Sequence, residues 1–184
     1  MHMPALSKRL WIIFATAPGI ILLDQVTKFF AKKYLAFHPP IIFWGDFFRF
    51  QYALNSGAML GFGSEWPESV RFWVLTIFPM VLLLGLLVYI LLSKQMTTLN
   101  LVSLSLISGG GLSNIFDRIY YGGQVVDFMN MGIGDLRTGI FNIADMAIMA
   151  GMGILILEGF LMHNKHPHEA GENPPQTPEP PADA

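Results

Sequence analysis

Two aspartates, Asp127 and Asp145, stand at the ends of apolar stretches of the sequence. An ionisable side chain at the centre of a bilayer costs about 2.5–3.5 kcal/mol on insertion scales, so such residues need a reason to be there. Two carboxylates brought together in a low-dielectric pocket cannot both ionise cheaply, so one proton is shared and one pKa is raised. The ionised partner of such a pair can activate water while the protonated partner donates to a carbonyl oxygen.

The spacing of the two acids leaves their role open. They are eighteen residues apart, and neither has a basic residue within three positions on either side. An acid dyad, a proton or ion relay and ordinary loop acidity all fit this pattern. The dyad requires that the chain between Asp127 and Asp145 folds back and brings the carboxyl groups to one place.

Other polar residues interrupt the apolar runs nearby. Asn114, Asp117 and Arg118 are three and four positions apart, which places them on one face at the end of a helix. Arg118 beside Asp117 is interpreted as a local ion pair at the water boundary. Asp24 and Lys28 form an i,i+4 pair, and their spacing alone favours an interfacial salt bridge that caps a membrane span.

Composition restricts the class of protein. The chain has 184 residues, which suggests one domain, and it is 53% hydrophobic with only 13% charged residues. Such a chain is too apolar for a soluble domain of this size. The formal charge of −2 gives no basic field for nucleic acid, and the absence of cysteine excludes disulfides and a thiol nucleophile. We expect no metal and no cofactor, because the candidate site offers carboxylates without histidine or cysteine.

The fold class predicted from these runs is an all-α polytopic membrane protein. Leu10 to Leu23 mimics a signal peptide, but Pro18 follows the possible cleavage site Ala15–Ala17, so a retained first helix is the better interpretation. Pro79 should kink the second span. The four predicted transmembrane helices cover residues 10–30, 72–92, 97–116 and 142–162. Asn142 is expected to cap the last of them, with Asp145 in its first turn.

A β-rich loop, residues 32–69, separates the first two spans. Ile41–Trp44 and Phe47–Leu54 are predicted to form a β-hairpin with a two-residue turn at Gly45-Asp46. Phe48, Phe50, Tyr52 and Leu54 should share one face of its second strand. A single membrane-embedded domain is thus expected over residues 1–162. Residues 163–184 are polar and proline-rich, which indicates a disordered tail.

Four spans place both termini on the same side of the membrane. The charge rule gives a divided answer, because basic residues flank the spans on both sides. Cytoplasmic termini are favoured by the basic N-terminus and the shortest loop. The residues that argue for this orientation are Lys8, Arg9, Lys94 and Lys165, and those that argue against it are Lys32, Lys33 and Arg49.

Five ordered blocks of the chain resemble the lipoprotein signal peptidases (signal peptidase II), aspartyl peptidases of the bacterial inner membrane. The resemblance covers essentially everything from Leu10 to about Met162. The blocks are Asp24–Lys28, Asn55–Ala58, Gly109–Arg118, Val125–Phe128 and Phe141–Asp145. The chain departs from the family pattern at Ser113, at Met59-Leu60 and in the loop Gly132 to Ile140.

The resemblance implies that Asp127 and Asp145 are the catalytic dyad. It also implies that further residues line or support the site: Asn55, Gly57, Asn114, Arg118, Asn142, Asp24, Lys28 and, within the third block, Asp117. The substrates implied are prolipoproteins, cut just before a diacylglyceryl-modified cysteine. The family further implies cytoplasmic termini, a small periplasmic β-cradle, contact with membrane lipids, an active site toward the periplasmic leaflet and inhibition by the cyclic peptide globomycin.

Two other classes compete with an endopeptidase. A proton-coupled small membrane transporter could use Asp127 and Asp145 as a relay, although no internal repeat is visible in the sequence. A membrane scaffold could use the polar residues only to join helices. Cleavage by purified protein in detergent, without a membrane gradient, would favour the peptidase over both.

Overall fold

The computed structural model describes residues 6–58, 61–93 and 96–163 of the chain. Within these ranges, four helical stretches are long and apolar enough to cross a membrane: Ser7–Leu35, Glu68–Leu92, Thr98–Tyr120 and Ile143–Leu161. A small antiparallel sheet accompanies them. The predicted fold class, four membrane-spanning helices with a small β-structure, is therefore confirmed. The tail predicted for residues 163–184 lies outside the described residues, except for His163, which ends the last helix.

The elements follow one another in a simple order. Helix α1 is longer at both ends than predicted, and the second span contains three helical pieces. The elements are α1 (Leu6–Leu35), β1 (Ile41–Phe43), β2 (Phe48–Asn55), α2 (Glu68–Arg71), a π-helical segment (Phe72–Ile77), α3 (Phe78–Leu92), α4 (Thr98–Tyr120), β3 (Val125–Ile133), β4 (Leu136–Arg137) and α5 (Ile143–His163).

The second span changes its helical geometry just before Pro79. The segment Phe72–Ile77 is π-helical, and Pro79 then lies in the first turn of α3. Proline has no N–H to donate and is tolerated in the first turn of a helix, where that donor has no intrahelical acceptor. The irregularity predicted at Pro79 is therefore a change of hydrogen-bonding pattern on its N-terminal side.

The sheet has four antiparallel strands in the order β1-β2-β3-β4. Phe43 pairs with Phe48, so residues 44–47 connect β1 and β2. The predicted two-residue turn was wrong. Trp44, Gly45 and Asp46 all have positive φ angles, and Asp46 accepts a hydrogen bond from Arg49 Nε at 2.5 Å, which closes the loop. The sheet packs on α1 through a cluster that contains Ala31, Leu35, Phe128 and Met129, with Phe48, Phe50 and Tyr52 against it.

Small residues let α1, α4 and α5 approach each other closely. Gly109 faces Ala17 of α1, and Gly151 of α5 faces Ser103 of α4; an added Cβ at either position would lie 2.6–2.7 Å from a backbone oxygen. Ser105 and Ser113 of the same α4 stripe are fully buried. The small-residue pattern thus marks the places where backbones meet, as in other membrane helix pairs.

Gly110 gives this packing a direct test. A methyl group at residue 110 would collide with the backbone carbonyl oxygen of Ala144, the residue before Asp145. We expect Gly110→Ala to lower the free energy of unfolding by about 1–3 kcal/mol, the usual cost of overpacking, and to lower the melting temperature accordingly. Gly153→Ala is the matched control, because nothing lies within 4 Å of its would-be Cβ. An equal melting temperature for the two variants would contradict close packing at Gly110.

Candidate active site

Asp127 lies on β3 and is almost completely buried, with 2% of its surface exposed. Its Oδ1 accepts a hydrogen bond from Asn142 Nδ2 at 2.7 Å, and its Oδ2 accepts one from Asn55 Nδ2 at 2.9 Å. Burial, together with the negative charge of nearby Asp145, raises the pKa of Asp127 to about 7, against the lowering effect of the two amide donors. Asp127 is therefore an acid that can keep its proton near neutral pH.

Asp145 lies in the first turn of α5 and is half-buried. Its Oδ1 accepts from Asn114 Nδ2 at 2.9 Å and its Oδ2 accepts from the Asn142 N–H at 3.2 Å. The Asn142 side chain accepts in return from the Asp145 N–H at 2.9 Å. This is a reciprocal capping box, so Asn142 caps α5 as predicted. The box fixes the Asp145 carboxylate at the N-terminus of α5, between the Asn114 side chain and the Asn142 N–H.

Asn142 connects the two carboxylates. It is fully buried, and its backbone and side chain contact Asp145 while its Nδ2 group reaches Asp127. The same Nδ2 group lies 3.1 Å from Asn114 Oδ1. The chain between β3 and α5 therefore folds back, as the dyad hypothesis requires, and Asp127 and Asp145 line the same cavity.

A β-bulge brings Asn55 to Asp127. In β2, Phe50 pairs with Met129 and Ala53 with Asp127, so β2 has one more residue than β3 between these pairs. The extra residue reverses the alternation of faces. Asn55 then shares the face of Asp127, whereas Leu54 points elsewhere and is 42% exposed. The predicted common face of Phe48 through Leu54 was wrong at Leu54 for this reason.

The cavity beside the two aspartates has a volume of about 640 Å³ and mostly apolar walls. Its polar lining comes from Asn55, Asn114, Arg118, Asp127, Thr138 and Asp145, and its apolar lining includes Phe48, Val125, Met129, Met131, Phe141, Met146 and Met149. A smaller cavity of about 290 Å³ lies next to Asp127, bounded by Ala53, Gly61 and Gly139. Among the described residues, no three His, Cys, Asp or Glu side chains are grouped so that they could hold a metal ion.

Arg118 lines the cavity but does not pair with Asp117. Its Nη2 group donates to the Gly57 carbonyl oxygen at 3.0 Å, and its buried Nε has no hydrogen-bond partner among the described residues. The predicted Asp117–Arg118 ion pair was wrong, because Asp117 points into the protein toward Lys28. Gly57 itself is buried, and a side chain there would meet the backbone of Gly61 at 2.7 Å.

Asp24, Lys28 and Asp117 lie behind the cavity rather than in it. Lys28 Nζ is 2.6 Å from Asp24 Oδ2 and 2.9 Å from Asp117 Oδ2, and all three side chains are at least 97% buried. The interfacial salt bridge that the spacing of Asp24 and Lys28 favoured is therefore a buried network between α1 and α4. Buried charges are costly unless they are paired and hydrogen-bonded, and this network satisfies both conditions.

Sequence reasoning missed several residues around the site. Gln25 donates to Asp117 Oδ1 at 2.8 Å, and Ser113 donates to Asp24 Oδ2 at 2.7 Å. Ser113 is four positions before Asp117, and this spacing could have indicated a shared helix face. The methionines of the cavity wall were also missed. Their signal was the alternation of Met129 with Met131 in β3 and the three-residue spacing of Met146 and Met149 in α5.

Fold and site together define a multi-pass membrane protein whose polar centre is enclosed between a small antiparallel sheet and the ends of its helices. The family model of signal peptidase (SPase) II matches residues 16–161. The lipoprotein signal peptidase of Aquifex aeolicus is 35% identical over 84% of this chain and 89% of its own length. That of Syntrophus aciditrophicus is 32% identical over 83% of this chain and 94% of its own.

Solved structures agree with these relatives. A bacterial membrane enzyme determined by the in meso method at 2.3 Å resolution has a TM-score of 0.69 and 26% identity; the match covers 92% of this chain and all of that one. The chain therefore belongs to the signal peptidase II family. Membership makes the protein a membrane-embedded signal peptidase that acts on lipoproteins.

Proposed function

We propose that the protein is an endopeptidase that removes signal peptides from prolipoproteins, cutting just before a diacylglyceryl-modified cysteine. The observation that carries this proposal is the pair of carboxylates in one apolar cavity, joined through Asn142. The pair supplies an acid and a base, and the apolar walls offer room for acyl chains next to them. This combination suits a substrate that is half peptide and half lipid.

The proposed chemistry is direct attack of water, without an acyl-enzyme. Asp145 serves as the base in this proposal: its carboxylate, which accepts from Asn114 and from the Asn142 N–H, takes a proton from the water as the water oxygen attacks the carbonyl carbon. Asp127, protonated because its pKa is about 7, donates its proton to the carbonyl oxygen. A neutral tetrahedral diol results. Asp145 then gives its proton to the departing amide nitrogen as the C–N bond breaks, and Asp127 recovers the proton of a diol hydroxyl.

The remaining site residues orient the peptide in this proposal. Arg118 and Asn114 both line the cavity, and within the described part of the chain the Arg118 Nε group has no hydrogen-bond partner, so both side chains can contact the substrate backbone. Asn55 and Asn142 hold Asp127, while Gly57 anchors Arg118 through its carbonyl oxygen. No residue on this path needs a metal or an organic cofactor.

The proposed location is the bacterial inner membrane, with both termini cytoplasmic and the site toward the periplasmic leaflet. The site lies where α4 ends and α5 begins, whereas Arg9 lies near the start of α1 and donates to the carbonyl of Ile90 at the end of α3. The basic N-terminus and the site are therefore at opposite ends of the helices. Partners in this setting are lipid-modified prolipoproteins and membrane lipids, with globomycin as an inhibitor and no nucleic acid.

The test uses the purified full-length protein in detergent with a diacylglyceryl-modified precursor. We expect release of the signal peptide, a new N-terminus at the modified cysteine and inhibition by globomycin. The absence of a membrane gradient separates this outcome from transport, which would need one. Failure of the folded protein to cleave any such precursor would contradict the proposal.

The pKa of Asp127 predicts how rate and stability depend on pH. An aspartate in the unfolded chain has a pKa near 3.8, so between about pH 4 and pH 7 only the folded protein holds this proton. Stability should therefore fall as pH rises through this window, and the cleavage rate should fall above about pH 7, where the acid is lost. Melting temperatures and rates between pH 5 and pH 9 check both. If Asp127→Asn shows the same decline in stability as the wild type, Asp127 is not its source.

A further inference from the structure

The buried network of Asp24, Lys28 and Asp117 contacts more than its own charges. The Oδ1 atom of Asp24 accepts a hydrogen bond from the backbone N–H of Ala144 at 2.9 Å. The Oδ2 atom of Asp117 accepts one from the backbone N–H of Val126 at 3.0 Å. Ala144 and Val126 are the residues immediately before Asp145 and Asp127. Each acid of the network thus fixes the backbone beside one member of the dyad.

Lys28 joins the two halves of this arrangement. Its Nζ group bridges the two carboxylates at 2.6 and 2.9 Å, so the anchors of β3 and α5 share one cation. Carboxylates that are close to each other repel when nothing lies between them. With Lys28 between them, Asp24 of α1 and Asp117 of α4 form one ion-paired group. The N–H groups of Ala144 and Val126 both donate to the carboxylates of this group.

Lys28 and Asn142 Nδ2 both donate to the Asn114 side-chain oxygen, and together they set which way its amide faces. An ammonium group can only donate, so the Asn114 oxygen, 3.0 Å from Nζ, must point toward it. The amide nitrogen then points the other way and donates to Asp145 Oδ1 at 2.9 Å. Lys28 therefore acts on Asp145, the proposed base, through Asn114: it holds the Asn114 oxygen, and the Asn114 amide group then donates to the Asp145 carboxylate.

From these contacts we infer that Lys28 is a positioning residue, which sets the relative placement of Asp127 and Asp145 through Asp117, Asp24 and Asn114. The inference rests on the proposed function, because it concerns the geometry of that reaction. Lys28 does not line the cavity, so it acts on the reacting groups and not on substrate affinity. A misplacement of about 1 Å between reacting groups can cost about 10²-fold in rate.

The experiment compares Lys28→Met with Lys28→Arg in the full-length protein, using the diacylglyceryl-modified precursor. We expect Lys28→Met to lower kcat by about 10²-fold with KM within threefold of the wild type. Lys28→Arg keeps a cation between the carboxylates and a donor toward Asn114, so its kcat should exceed that of Lys28→Met by about tenfold or more. A purely structural role would lower the amount of folded protein without this split between kcat and KM.

Arg9 supplies the matched control. It is a buried cation on the same helix, 6% exposed, and it donates to the Ile90 carbonyl oxygen at 2.7 Å, away from the dyad. Arg9→Met should lower the melting temperature and leave kcat of the folded protein unchanged. If Lys28→Met is not recovered folded, Asp117→Asn replaces it, and a tenfold or larger loss of kcat at constant KM is expected there.

Three results would overturn the inference while leaving the proposed function intact. The first is a wild-type kcat in folded Lys28→Met, or in Asp117→Asn where that variant replaces it. The second is an effect confined to KM. The third is an equal kcat for Lys28→Met and Lys28→Arg. Absence of cleavage by the wild-type protein would instead overturn the proposed function, and the inference with it.

Discussion

Replacing Asp127 or Asp145 by asparagine is expected to lower turnover by about 10²–10⁴-fold or more, the usual contribution of one general acid or base. Asparagine keeps the shape of the side chain but can neither accept nor release the proton in transit. The double variant should be little worse than either single one, because the two carboxylates act as a unit. Single-turnover cleavage of the lipidated precursor measures all three variants.

Stability separates a catalytic role from a structural one for the same variants. At pH 8, where Asp127 is ionised, the neutral amide removes a buried charge but also one of two hydrogen-bond acceptors. We expect these effects to offset each other, so melting temperatures should stay within a few degrees of the wild type. Asp135→Asn is the control, because Asp135 is exposed in the turn between β3 and β4. Substantial turnover by Asp127→Asn or Asp145→Asn would remove that residue from the mechanism, and inactive variants that are clearly less stable would make both residues structural.

A precursor with an unmodified cysteine is expected to be cleaved at least about 10²-fold less efficiently than the diacylglyceryl form. The cavity wall beside Asp127 and Asp145 is mostly apolar, with Met129, Met146 and Met149 among its members. Burial of a methylene contributes about 0.8 kcal/mol, so four buried methylenes contribute about 3 kcal/mol, or about 10²-fold in kcat/KM. Membrane partitioning of the acyl chains adds to this in vesicles.

The measurement compares kcat/KM for the two precursors in the same detergent, with identical peptide sequences. Met149→Asp places a charge in the apolar wall and should reduce the preference for the lipidated form, whereas cleavage of the unmodified precursor should change little. Equal efficiency for the two precursors would show that the cavity is not used by the lipid.

The sequence predicted the membrane spans well because each is a long, mostly apolar run. Residues 72–92 and 97–116 carry no charge, and residues 10–30 and 142–162 carry only two charged side chains each. It predicted β2 from its aromatic content but not β3. The first six residues of β3 are all buried, so the alternation that marks a half-exposed strand is missing. The turn between β1 and β2 was misjudged because Trp44 adopts a positive φ angle, which a bulky aromatic residue does not favour.

Local spacing predicted some features of the candidate site but not its connections. Asn142 as a helix cap and the small residues of α4 follow from local spacing, whereas the spacing of Asp127 and Asp145 left their role open, and only the family resemblance implied a dyad. The partner of Asp117 does not, because Lys28 comes from another helix and only the packing of α1 on α4 brings it near. The β-bulge that turns Asn55 toward Asp127 was not predictable either, because one extra residue in the pairing of β2 with β3 leaves no recognisable pattern in the sequence.

The hydrogen bond between Asp24 and Ala144 joins residues 120 positions apart, and this separation has a consequence for biogenesis. Helix α1 is synthesised long before α5, so Asp24 and Lys28 enter the bilayer before their partners on the later helices are available. Asp24 and Lys28 lie one turn apart on that helix and neutralise each other from the moment it forms. The anchor for the α5 backbone is completed only when the last helix inserts. In the proposed mechanism, a nascent chain without α5 lacks both Asp145 and this anchor, so we expect cleavage to require insertion of the last helix.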